Sequence, residues 1–174
     1  LLPVLYPLMA LEFDLSNGDV GLIALSFTAA SSLSQPAFGY IVDRFGSRLL
    51  APASLAWAAV MFGLAGLSPS RGFLGIAAFL AGLGSGAYHP LGASNAARVT
   101  ADAGKNTAMS VYTVGGTSGY ALGPLLGALV FGLLGREGSV LMIPIGIVSA
   151  VLVARSLRRL NLGRPVADPV SAQA

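Results

Sequence analysis

The chain has 174 residues, 55% hydrophobic and 10% charged, and a mean hydropathy of +0.77; an ordinary soluble domain carries about 25% charge, so this composition reads as an integral membrane protein. Cysteine is absent, which excludes disulfides and thiolate metal sites. The formal net charge of +3 sits in short segments between apolar runs, so its placement says more than its sum, and nothing in the pattern points to nucleic acid, a metal or a cofactor.

Residues 1–11 are apolar, but at 1.5 Å per residue they rise only about 16 Å, roughly half of a ~30 Å hydrocarbon core. They are expected to be the outer part of a first span whose start is missing. Residues 12–19 are polar and include Ser16 and Asn17, good helix N-caps, and a second span is predicted over 17–42. Along it Thr28, Ser31 or Ser32, Gln35 and Gly39 recur every three to four residues, a thin polar stripe that faces other helices or a water-filled cavity.

A charged turn follows, Gly39-Tyr40-Ile41-Val42-Asp43-Arg44-Phe45-Gly46-Ser47-Arg48. Lying between two apolar runs, it belongs at a membrane face. Its glycines suit a tight connection, and Asp43 can pair with Arg44, Arg48 or a neighbouring helix end. The third span, over 49–67, holds the only tryptophan, Trp57, and is closed by Ser68-Pro69-Ser70-Arg71-Gly72.

The fourth span, over 73–97, carries Ser85, Tyr88, His89, Pro90, Gly92, Ser94 and Asn95, and His89 is the only histidine. Ionisable residues inside a membrane are costly and face a bundle interior or a pathway, and histidine changes charge near neutral pH. His89 is therefore the leading candidate for a proton or substrate residue, with Tyr88, Gln35 and Asn95 as further cavity candidates. Pro90 removes a backbone hydrogen bond and is expected to kink the helix near Gly86. Ser85 and His89, four residues apart, also form a nominal nucleophile and base. No orienting acid or oxyanion element accompanies them, so an enzyme is not the expected reading.

Arg98, Asp102 and Lys105 mark the next loop. The fifth span, over 106–134, has Gly115, Gly119, Gly123 and Gly127 at four-residue steps, with Gly116 and Pro124 beside them, a side-chain-free face suited to close helix contact. Gly135-Arg136-Glu137-Gly138 ends it, and a sixth span is predicted over 139–157. The tail, with Arg155, Arg158, Arg159, Arg164, Pro165, Asp168 and Pro169, reads as the start of a cytoplasmic linker over 159–174. Placing the Asp43 turn, the Arg98 loop and this tail on one side collects eight basic residues and leaves Arg71 and Arg136 opposite, which puts that side and the amino terminus in the cytoplasm.

Gly39-x-x-x-Asp43-Arg44-x-Gly46-x-Arg48 resembles the signature loop between the second and third helices of the major facilitator superfamily. Gly119-x-x-x-Gly123-Pro124-x-x-Gly127 resembles the fifth-helix motif of its exporters, with Ala128 where a second glycine is often found. Tyr88-His89-Pro90 after Gly82-Leu83-Gly84-Ser85-Gly86-Ala87, and Val114-Gly115-Gly116, look most like the fosmidomycin-resistance-like efflux proteins, except that Leu91 stands where those carry an acidic residue. The resemblance implies an all-α polytopic membrane bundle, the amino-terminal six-helix half (1–158) of a twelve-helix fold. It also implies proton-coupled export of a small polar or amphipathic solute or drug from the cell (inner) membrane by alternating access. The partners would be the substrate, protons, the lipid bilayer and a missing carboxy-terminal half. Asp43 and Arg44 would latch the two halves, with Arg98 as a possible partner, and Gly119, Gly123, Pro124 and Gly127 would set the bend of the fifth helix. The alternative is a self-contained six-helix channel or scaffold assembling through its glycine face.

Overall fold

Long apolar runs can satisfy their backbone groups in hydrocarbon only by closing hydrogen bonds within each segment or in a closed barrel. Here they form helices. The computed structural model describes residues 2–99 and 104–162. Over these, α1 (Leu2–Phe13), α2 (Asn17–Phe45), α3 (Leu50–Gly66), α4 (Arg71–Arg98) and α5 (Lys105–Leu134) are followed by a 3₁₀ segment, Gly135–Leu141, and by α6 (Met142–Arg159). There is no strand among the described residues. Asp102, Arg164, Pro165, Asp168 and Pro169 lie outside them.

Three boundaries differ from the sequence expectation, each for a local reason. Asp43 and Arg44 belong to α2 rather than to a loop, since the helix expected to end at 42 runs on to Phe45, and the turn shrinks to Gly46–Leu49. Gly46 stops the helix: at φ 79° it donates its N–H to the Val42 carbonyl at 2.8 Å, in a region of backbone space that favours glycine. The fourth helix starts at Arg71 because the Ser70 hydroxyl accepts the Phe73 N–H at 3.3 Å. Residues 135–141 wind as 3₁₀ and α6 begins only at Met142. At the start of α2, Ser16 and Asp19 form a reciprocal capping box: the Ser16 hydroxyl accepts the Asp19 N–H at 3.2 Å, and the Asp19 carboxylate accepts the Ser16 N–H at 2.9 Å.

Helix α4 is the hub, packed against α2, α3 and α5, while α3 in turn carries α6. The sides of α4 are opened by glycine. A Cβ on Gly82 would collide with the Phe27 carbonyl and one on Gly86 with the Ser31 carbonyl, both on α2. On Gly84 it would lie 2.8 Å from Trp57 Cδ1 of α3, and on Gly92 2.6 Å from the Tyr112 hydroxyl of α5. The α3–α6 contact repeats the device: Gly63 and Gly66 meet Ile143 and Ser139, and Gly146 meets Ala59. Backbone-to-backbone approach of this kind is how helices gain dispersion contact where no hydrophobic drive separates them from lipid.

The fifth-helix glycines behave otherwise. Gly115, Gly116 and Gly119 have open space where a side chain would be, so the first half of the glycine face expected to mediate close contact meets nothing within this chain, while further along Gly123 is half-buried and Gly127 buried.

Two apolar clusters close the ends of the bundle. One gathers Leu5, Met9, Ile23, Phe62, Ala65, Leu74, Ala77, Ala78 and Phe131; the other gathers Val42, Ala51, Ala87, Leu91 and Leu157. Four helices also carry a proline beyond their first turn, Pro7 in α1, Pro36 in α2, Pro90 in α4 and Pro124 in α5, whereas α3 and α6 carry theirs, Pro52 and Pro144, only in the first turn, where no helical N–H bond is lost.

The glycine packing sets a contrast within one helix. Gly82→Ala should destabilise the protein by about 1–3 kcal/mol through overpacking, whereas Gly75→Ala, with nothing within 4 Å of the new Cβ, should be neutral or slightly stabilising. Thermal unfolding of the two variants in detergent, compared with the parent, checks this.

Candidate functional site

Between the two apolar clusters the bundle holds a cavity of about 550 Å³. Its walls come from α1 (Pro3, Tyr6), α2 (Ala24, Phe27, Thr28, Ser31, Ser32), α3 (Ala58, Phe62), α4 (Ala81, Ser85, His89) and α5 (Tyr120). Aromatic rings and hydroxyls dominate, and among the described residues no Asp, Glu, Lys or Arg lines it and His89 is its one basic side chain. The hydroxyls are partly committed to the protein itself. Thr28 donates to the Ala24 carbonyl at 2.9 Å and Ser31 to the Ser85 hydroxyl at 3.5 Å, which leaves their lone pairs for a ligand.

The interior prolines belong to this site. A mid-helix proline deprives the carbonyl four residues earlier of its N–H donor. For Pro7, Pro36 and Pro124 those carbonyls belong to Pro3, Ser32 and Tyr120, all of which line the cavity. For Pro90 the carbonyl is that of Gly86, next to Ser85.

The four residues expected to share a cavity are not brought together. His89 lines the central cavity. Tyr88, on the next face of α4, lines a second cavity of about 300 Å³ with Asn95, Gly92, Tyr112 and residues of α6. Gln35 is half-buried one turn beyond Ser31 and is not among the residues lining either. Asn95 is 9% exposed and accepts a 2.7 Å hydrogen bond on its side-chain oxygen from the Ser47 hydroxyl, itself 2% exposed. The reason is helical geometry: Tyr88 and Asn95 are seven apart and share a face, while His89 is turned about 100° from Tyr88.

The Ser47–Asn95 bond ties the turn after α2 to the end of α4. Asp43 and Arg44 are exposed beside it, with the Arg44 guanidinium donating to the Tyr40 hydroxyl at 3.1 Å and lying 5.9 Å from the Phe45 ring centroid. Arg48 is half-buried and Arg98 exposed. At the opposite end of the bundle Arg136 performs a comparable fastening: it donates to the Ser68 carbonyl at 2.8 Å, pairs with Glu12 at 3.3 Å, and sits 5.9 Å from the Phe13 ring centroid. Of the fifth-helix motif, Gly119 and Pro124 are exposed, Gly123 is half-buried and Gly127 buried.

Several of these residues give little sequence signal. Tyr6, Phe27, Phe62 and Tyr120 are apolar residues in apolar runs, and nothing in spacing separates a cavity wall from a lipid face. Ser47 was visible only as part of the charged turn.

A helical hub opened by glycine, a central cavity of aromatic and hydroxyl-bearing residues and a charged helix end beside a short turn are the features on which a family comparison can be judged. The sequence profile of the Major Facilitator Superfamily matches residues 1–172. The chain belongs to that superfamily, a family of membrane transporters. It is 33% identical over 177 aligned residues to the fosmidomycin resistance protein of Escherichia coli (strain K12), covering 98% of this chain and 43% of that protein. It is 35% identical over 141 residues to an uncharacterized MFS-type transporter, YfnC, of Bacillus subtilis (strain 168), covering 80% of this chain and 34% of that protein. The chain thus spans less than half the length of these relatives. Within the superfamily frame, the apolar stretch Asn106–Arg159 is long and hydrophobic enough to cross a membrane, and α2 and α4, at 29 and 28 residues, rise about 42–43 Å despite their polar residues.

Removing one partner of the buried Ser47–Asn95 pair leaves the other unsatisfied. Ser47→Ala should cost about 1–3 kcal/mol, and Ser47→Ala combined with Asn95→Leu should cost less than the sum of the two single changes, as read from a double-mutant cycle of unfolding free energies.

Proposed function

We propose that this chain is the amino-terminal six-helix bundle of a proton-coupled exporter of a small polar or amphipathic solute. The observation that carries the reading is the central cavity, walled by aromatic rings and hydroxyls, with His89 as its one basic group. In alternating access two bundles rock about a site near the bilayer midplane. Here α1 to α5 supply one wall, and the open glycine end of α5 leaves room for a second bundle to approach. A relative named for resistance to fosmidomycin supports efflux as the direction of transport.

His89 serves as the proton-binding residue of this half. As imidazolium it donates two hydrogen bonds and carries a positive charge; as neutral imidazole it can also accept. Either change alters what the cavity holds, so a proton taken from one side and released on the other exchanges for solute. The exporters this chain resembles place an acid after the aromatic-His-Pro run; Leu91 here is fully buried, so the coupling group of this half is His89 alone.

Asp43, Arg44 and Arg48 lie with Ser47 at one end of the bundle, where the excess of basic side chains marks the cytoplasmic side, and there they latch against the second bundle when the cytoplasmic entrance closes. The amino terminus and the segment after Arg159 fall on the same side, at the cell (inner) membrane. A hydrolase reading draws no support from the cavity, because no acid among its described lining residues would orient His89 as a base for Ser85.

His89→Ala in the full-length protein should abolish proton-driven export from vesicles at unchanged protein level, and export equal to the parent would sink the proposed role. Asp43→Asn should slow transport without changing the amount of solute bound at equilibrium, since it alters the latch and not the cavity.

A further inference from the structure

The turn of α4 that carries His89 is weakened from within. Pro90 has no N–H to give to the Gly86 carbonyl, so one rung of the helix is missing at the residue that the proposed function depends on. Such a turn keeps one orientation only if its neighbours fix it.

Two neighbours do so, from different helices. On one side Gly86 rests directly on the α2 backbone at Ser31. On the other the α5 residue Tyr112 lies over Gly92, where a Cβ would fall 2.6 Å from its hydroxyl oxygen, 2.9 Å from Cε2 and 3.1 Å from Cζ. The Tyr112 hydroxyl donates to the His89 carbonyl at 3.4 Å. Tyr112 is half-buried and lines the second cavity, not the central one, so it does not touch a solute held beside His89.

We propose that Tyr112 is a positioning residue for His89. Its ring over Gly92 and its hydroxyl on the His89 carbonyl set the angle at which α4 presents the imidazole to the central cavity, so a shift of α5 during the transport cycle changes that angle. The ring contact gives shape and the hydrogen bond gives direction; only glycine at position 92 leaves space for both. This rests on the reading of His89 as the proton-binding residue only for its consequence in transport, not for the geometry itself.

The test uses the full-length protein, cysteine-free except for His89→Cys; the present chain contributes no cysteine of its own. The labelling rate of that cysteine by a small water-soluble maleimide reads the orientation of the turn independently of transport. Adding Tyr112→Phe, which removes only the hydroxyl, should change the rate roughly two- to tenfold, the range of one hydrogen bond. Gly92→Ala should change it further, and Tyr112→Phe should relieve part of the Gly92→Ala effect by removing the closest atom of the clash, so the two changes combine to less than their sum. Labelling rates equal to the parent in Tyr112→Phe and in folded Gly92→Ala would overturn the proposal. With His89 restored, the same two substitutions should slow export by a similar factor at unchanged solute affinity. If His89→Ala exports normally while the labelling effects hold, the transport role of His89 falls and the positioning by Tyr112 stands.

Discussion

The structure depends on the close approach that α4 allows. In a bilayer, water does not drive apolar helices together, and the gain on association comes from dispersion contacts and hydrogen bonds formed when backbones come near. Gly82 and Gly86 let α2 lie on α4 with a carbonyl where a Cβ would be, Gly84 admits Trp57 and Ala58 of α3, and Gly92 admits Tyr112. Trp57 completes its own seat by donating its indole N–H to the Leu80 carbonyl of α4 at 2.9 Å. One helix therefore fixes the positions of three others, and every polar residue of the cavity is placed relative to it.

That arrangement divides labour among the helices. The helices with interior prolines, α1, α2, α4 and α5, all contribute to the central cavity beside Ala58 and Phe62 of α3, while α3 and α6 brace the bundle through Gly63 and Gly146. The physical sense is that a broken hydrogen-bond ladder at membrane depth is tolerated where the freed carbonyl meets a polar cavity instead of lipid. The same breaks make those helices the ones able to bend. Fastenings at the two ends, Ser47 to Asn95 and Arg136 to Ser68 and Glu12, hold the helix termini while the middle remains adjustable.

The chemistry of the site follows from what is absent from its walls as much as from what is present. With no acid, lysine or arginine among the described residues lining the cavity, His89 is the one side chain of this wall that can carry a positive charge. Thr28 and Ser31 spend their hydrogens on protein acceptors and offer the cavity their lone pairs.

The sequence by itself determined the class, the number of α-helices among the described residues and which face-defining residues exist. Apolar run length and the cost of unsatisfied backbone groups in hydrocarbon leave no alternative to helices, and the charged residues between runs mark the ends. His89 was legible because an ionisable group inside an apolar span is costly enough to need a reason. The sequence could not assign its other polar residues to partners. Asn95 reads as a cavity residue beside His89, yet it turns to Ser47, because the helical rotation between the two and the position of the α2–α3 turn are fixed only when α4 and α2 are packed. The two glycine series look alike in sequence, one in α4 and one in α5, but only the former meets neighbouring backbone in this chain. Spacing shows that a helix can be approached closely; which helix approaches it is decided by the packing of all six.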